Sequence, residues 1–112
     1  MDFKELAKNS DLEEEFFLEL VRTFLKLCAF DLDNLQSSID MGNIQKINEY
    51  AHSIKGAAIN LGFKNISLAA VEIEKNASEN RLDEAASFAN IVKERYEEIE
   101  RAFKTLRASK AG

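Results

Sequence analysis

Apolar residues recur along this chain in steps of three and four, the spacing that aligns side chains on one face of an α-helix. The first long series is Leu12, Phe16, Leu20, Phe24 and Cys28, continuing through Leu32, Leu35 and Ile39. Ser10 stands three residues before Glu13, a capping-box spacing, and Asp11, Glu13, Glu14 and Glu15 place negative charge where the dipole of a helix starting there favours it. The series stops at Met41-Gly42-Asn43, where Gly42 reads as the end of one helix and Asn43 as the cap of the next. Ahead of it, Phe3, Leu6 and Ala7 predict a short helix packed on the end of the fold.

Three more helices follow. The second long one has the face Ile44, Ile47, Ala51, Ile54, Ala58 and Leu61, alternating steps of three and four, and Gly62 ends it. The third shows Ile66, Ala70, Ile73 and Ala77, with Leu68 and Val71 widening the stripe. After the turn Glu79-Asn80-Arg81, the last helix carries Leu82, Ala85, Ala89, Val92, Tyr96, Ile99, Phe103 and Leu106. The spans read as about 11–40, 44–60, 65–79 and 82–107, with a frayed tail at 108–112. Amphipathic helices joined by such short connections sit as antiparallel neighbours. The expected fold is all-α: an up-down-up-down four-helix bundle with a short extra N-terminal helix, one domain over residues 1–112.

Composition agrees. The 112 residues contain no proline, and 46% are hydrophobic against 31% charged, which suits a globular helical chain rather than a disordered one. A net charge of −5 without a cluster of Lys or Arg argues against nucleic acid as a partner. No apolar run approaches the ~20 residues of a membrane span, so no membrane partner is expected. The start, Met1-Asp2-Phe3-Lys4-Glu5, lacks the basic and apolar segments of a secretion signal. One cysteine, Cys28, cannot form an internal disulfide, and it reads as a small buried side chain. The expected setting is the cytoplasm, and the Met1 start and short tail lean toward a free-standing protein. With one apolar stripe per helix used in the bundle, a monomer is expected.

Candidate chemistry centres on His52, the one histidine. At ~100° per residue it lies roughly 130° from the centre of its helix's apolar face, pointing outward. Glu49 and Gly56 lie nearly opposite the core, and Lys55 flanks it. A mid-helix glycine costs roughly 1 kcal/mol relative to alanine, so Gly56, one turn after His52, needs a reason. Clearing space beside the imidazole for another protein is one; close helix packing is another. Lys55 could balance an anion held on the ring, or be one more solvated charge. Glu49-Tyr50-Ala51-His52 also spells Glu-x-x-His, but a di-metal bundle site needs two such motifs pointing inward, so no metal is expected.

The stretch Ala51-His52-Ser53-Ile54-Lys55-Gly56-Ala57-Ala58-Ile59-Asn60-Leu61-Gly62 resembles the histidine-containing phosphotransfer (HPt) domains of two-component signalling. Their motif runs His, any, aliphatic, Lys, Gly, then a second Gly six residues on. Leu68-Ala69-Ala70-Val71-Glu72-Ile73-Glu74 resembles their third-helix pattern, and the likeness extends over about 11–107. The chain also resembles the phosphoacceptor domain of chemotaxis histidine kinases, so an excised domain of a larger kinase stays open. The resemblance implies that His52 is the phosphoacceptor, Lys55 steadies the phosphoryl group, and Gly56 admits the partner. It implies that Glu74, twenty-two residues after the histidine, orients the imidazole; a plain solvated charge is the alternative.

The partners so implied are the receiver domain of a response regulator and/or of a hybrid sensor kinase, whose aspartates exchange the phosphoryl group with His52. Mg2+ is expected on the receiver and no cofactor on this chain. No Gly-rich phosphate loop or ATP-binding motif is present, so the expected role is a relay without kinase activity of its own. Docking candidates are apolar residues outside the core stripes, namely Phe17, Val21 and Ile59, although Phe17 and Val21 could equally widen the core. The rival reading from another class is a non-catalytic helical adaptor.

Overall fold

Four turns set the chain's path, and each is built the same way. At Asp11, Gly42, Gly62 and Asn80 the backbone takes positive φ, between 58° and 77°. The amide after each returns to a carbonyl five residues back: Leu12 to Ala7, Asn43 to Ser38, Phe63 to Ala58 and Arg81 to Asn76. These 6→1 bonds close a helix and release the next one in a new direction. The structure, a computed structural model, describes residues 1–111, with side chains described through 109.

Five helices result among the described residues: α1 (Phe3–Asn9), α2 (Glu14–Asp40), α3 (Ile44–Leu61), α4 (Lys64–Ser78) and α5 (Leu82–Ala111). The Asp2 carboxylate accepts from the Glu5 amide to cap α1, and Asn43 accepts from Lys46 to cap α3, as its position in the sequence predicts. Helix α2 packs on α3 and α5, and α4 packs on the same two, so the ring of four antiparallel neighbours closes. No helix among the described residues is long and apolar enough to cross a membrane.

The two outer helices are much longer than the inner pair, 27 and 30 residues against 18 and 15. At about 1.5 Å per residue, α2 and α5 therefore project well beyond α3 and α4. Helix α1 packs on α2, and its Phe3 meets Phe103 edge-on at 6.4 Å near the far end of α5. Arg107 there pairs with Glu15 at 3.5 Å and Glu19 at 2.8 Å.

Several boundaries differ from the sequence-based expectation. Helix α2 starts at Glu14 rather than 11, because Ser10 and Asp11 are spent closing α1 and Ser10 is its C-cap. The capping box of Ser10 and Glu13 is not formed; Glu13 occupies the N-cap without a side-chain bond. Helix α5 runs to Ala111, past the expected end at 107; Gly112 lies outside the described residues. Helix α3 reaches Leu61, one residue past its expected end, and α4 begins and ends one residue early.

The core seam of α2 also differs. It is Phe17, Val21, Phe24, Cys28, Asp31, Leu35 and Ser38, alternating steps of four and three. The series Leu12, Phe16, Leu20, Phe24, Cys28 steps by four throughout, and each such step overshoots a full turn by about 40°, so it winds around the helix. Phe16 is accordingly exposed, while Phe17 and Val21 are fully buried. They cannot dock a partner; they hold the bundle together. On α4, Leu68 and Val71 are exposed rather than part of the stripe, and Ala69 is buried instead.

Adjacent phenylalanines thus make a clean test. Phe17→Ala should cost about 3–5 kcal/mol of unfolding free energy by cavity formation, whereas Phe16→Ala should change it by less than about 1 kcal/mol. Urea unfolding followed by circular dichroism measures both.

Candidate functional site

Small residues line the seam between α3 and α4: Ala51 and Ala58 on one helix, Ala70 and Ala77 on the other, all fully buried. Small side chains let two helices approach toward the short end of the usual 8–10 Å separation. Polar side chains at the rim then reach across. Asn48 Nδ2 donates to Ser78 Oγ at 3.2 Å, and Lys55 Nζ lies 3.2 Å from Glu74 Oε1. On the other flank of α3, Ser53 Oγ donates to the buried Asp31 carboxylate of α2 at 2.7 Å. These contacts set how α3 is held between its neighbours.

His52 sits between those anchors. Its side chain is 72% exposed, with Nδ1 turned toward α4 and 4.0 Å from Glu74 Oε1. That is an electrostatic contact, longer than a hydrogen bond. Nδ1 faces the carboxylate, so Nε2 is the nitrogen left to the outside. Glu74 Oε1 is withdrawn from solvent without a hydrogen bond, and the Lys55 ammonium lies against it as an ion pair. A shallow groove beside the ring is lined by Gln45, Asn48, Glu49, His52 and Glu74. Asn48 Oδ1 in this groove is likewise buried without a hydrogen-bond partner.

Three of the residues singled out from sequence are therefore brought together: His52, Lys55 and Glu74. Gly56 stands on the open side. A Cβ built there would meet nothing within 4 Å, so glycine is not required for packing within this chain. That removes the helix-packing explanation and leaves space for something outside. Ile59 lies seven residues after His52, two helical turns along the same face, and is 59% exposed.

Further exposed apolar groups, on the helix that flanks α3, were hidden in sequence by the drifting α2 series. Phe30 is 62% exposed and adjoins Asp31, whose carboxylate reaches the residue next to His52. Leu27, one turn earlier, is also exposed, and Phe16 continues the exposed apolar row toward the N-terminus of α2. Exposed large apolar side chains of this kind mark a contact surface. Of these apolar residues of α2, Phe17 and Val21 are buried, and Phe30 and Leu27 are the exposed ones. A signal existed in the sequence: the four-three register from Phe17 to Ser38 puts both of them outside.

Other reactive groups do not compete. The Cys28 thiol is buried, and that burial, aided by Asp31, pushes its pKa up to about 12, which keeps it protonated and inert. Among the described residues no three His, Cys, Asp or Glu side chains group as a metal site would need.

Replacing Gly56 with alanine should stabilise the protein by about 0.5–1 kcal/mol, because α3 gains propensity and the new methyl meets no neighbour. A rise in the midpoint of thermal unfolding checks it; a fall would mean that the glycine serves packing after all.

Compared with known proteins, the chain matches the family model of the Hpt domain over residues 19–108. That stretch includes all of α3 and α4, and hence Asn48, His52, Lys55, Gly56 and Glu74. Neither the curated proteins nor the solved structures yielded a match.

Proposed function

Because the chain belongs to the Hpt-domain family, we propose that His52 relays a phosphoryl group to or from aspartates of receiver domains in a two-component phosphorelay. The observation that carries this reading is the exposed imidazole at the open edge of Gly56, with Lys55 and Glu74 converging on its inner side. A structural histidine has no use for an empty approach path.

The chemistry is a displacement at phosphorus. The lone pair of the outward Nε2 attacks the phosphorus of an aspartyl phosphate on the receiver, and the carboxylate leaves with the electrons of its O–P bond. The ring's other nitrogen keeps its proton, directed toward Glu74. The reverse exchange hands the group to another receiver, with the electron pair returning to Nε2. In-line transfer of this kind depends on positioning and charge neutralisation. On this chain Lys55 contributes a cation three residues from the nucleophile, while Mg2+ is supplied by the receiver.

Docking uses the apolar rim. Ile59 lies two turns from His52 on α3, and Phe30 and Leu27 are exposed on the neighbouring α2; a receiver seated across the two helices would cover Gly56. Phe17 and Val21 take no part, being core. The chain works as a monomer in the cytoplasm, and the receiver belongs to a response regulator or a hybrid sensor kinase. The rival, a non-catalytic adaptor, would use the same rim but leave His52 idle.

Mixing the protein with a receiver carrying labelled phosphate distinguishes the two. Acid-labile, base-stable label should move to this chain and be absent from His52→Gln; label retained by that variant would sink the reading. Phe30→Asp and Ile59→Asp should each slow transfer by about tenfold, roughly 1.4 kcal/mol, with helicity unchanged. Stopped-flow or quenched transfer kinetics measure the loss.

A further inference from the structure

The charges around His52 are unbalanced before any phosphate arrives. On α3 they are Glu49, one turn earlier and in the same groove, and Lys55; on α4 there is Glu74. Helix α2 contributes Asp31, but its carboxylate is bound to the Ser53 hydroxyl on the far flank. One ammonium therefore serves a site with two carboxylates. Lys55 is engaged already, 3.2 Å from Glu74 Oε1, with both side chains about three-quarters buried.

A phosphoryl group on Nε2 would add close to two negative charges to this arrangement. To balance them, Lys55 must loosen its contact with Glu74. The carboxylate would then lose the cation that lies against its Oε1. If Lys55 stays, the phosphoryl group is left poorly neutralised. Either way the phosphorylated state carries a like-charge penalty that the unphosphorylated state lacks. Departure of the phosphoryl group relieves it.

We propose, on the basis of the phosphotransfer reading, that Glu74 is a positioning residue that competes with the phosphoryl group for Lys55. It thereby shortens the life of the phosphohistidine, so that this chain passes its phosphoryl group on rather than storing it. The step it favours breaks the Nε2–P bond and returns the electron pair to Nε2. The new P–O bond is made by a receiver carboxylate or, in slow hydrolysis, by water, which gives up its proton and leaves inorganic phosphate.

The test needs no receiver. Phosphoramidate serves as phosphoryl donor, Nε2 displacing ammonia, for wild type, E74Q, K55M and the double variant, with H52Q as the blank. After removal of the donor, loss of phosphohistidine is followed by phosphorus NMR, and circular dichroism checks each fold. The half-life should be about three- to tenfold longer in E74Q than in wild type. K55M should shorten it, and by a larger factor in the E74Q background, where the lysine is free to serve the phosphate. An E74Q half-life equal to or shorter than wild type, or an equal K55M effect in both backgrounds, would overturn the proposal. No label on any variant, while free imidazole in the same tube is phosphorylated, overturns the phosphotransfer reading itself and this inference with it.

Discussion

Helix α3 can bury only one face, and the rest of the site follows from which face that is. Its stripe of Ile47, Ala51, Ile54, Ala58 and Leu61 is almost wholly withdrawn from water. A closed ring of four helices leaves no second layer to cover the opposite side. Residues outside that stripe therefore face a neighbour's rim or solvent. Ser53 faces α2, Lys55 and Asn48 face α4, and His52, Gly56 and Ile59 face outward. The hydrophobic effect that forms the bundle is also what exposes His52.

That exposure is joined to polar groups that do little for stability. An ion pair such as Lys55 with Glu74, still partly open to water, contributes modestly to folding, and Glu74 leaves a buried oxygen without a hydrogen bond. Gly56 costs helix propensity and fills no tight contact. Local rules are broken together within one helical turn of His52 and its facing helix. Departures from local consistency concentrate where a chain is shaped for a partner or a reaction. The four turns, by contrast, share one 6→1 closure.

The overhang of α2 and α5 separates holding the fold from presenting the site. Phe17 and Val21 are buried on α2 some distance from His52 along the helix, where α1, Phe103 and Arg107 secure the bundle end. Phe30 and Leu27 lie further along the same helix, level with Ser53, and are left exposed. One helix thus serves the core on one side and the rim of the site on the other.

The order of helices, their antiparallel arrangement and the outward angle of His52 were legible in the sequence, because periodicity and turn residues are local properties that a bundle preserves. The cluster of His52, Lys55 and Gly56 was legible for the same reason: all three share one helix, where spacing fixes direction. What lay between helices was not legible from spacing, and Glu74 was named only through the family resemblance. The 3.2 Å approach of Glu74 to Lys55 and its 4.0 Å distance from the ring depend on how closely α4 packs on α3. The sealing of Oε1 depends on the same packing. Which phenylalanine of Phe16 and Phe17 is core turned on a rotation of α2 that an unbroken run of i+4 steps cannot define, since such a run drifts around the helix. The sequence holds both that run and a four-three register from Phe17 to Ser38, and the packed bundle, in which Asp31 meets Ser53, selected the second.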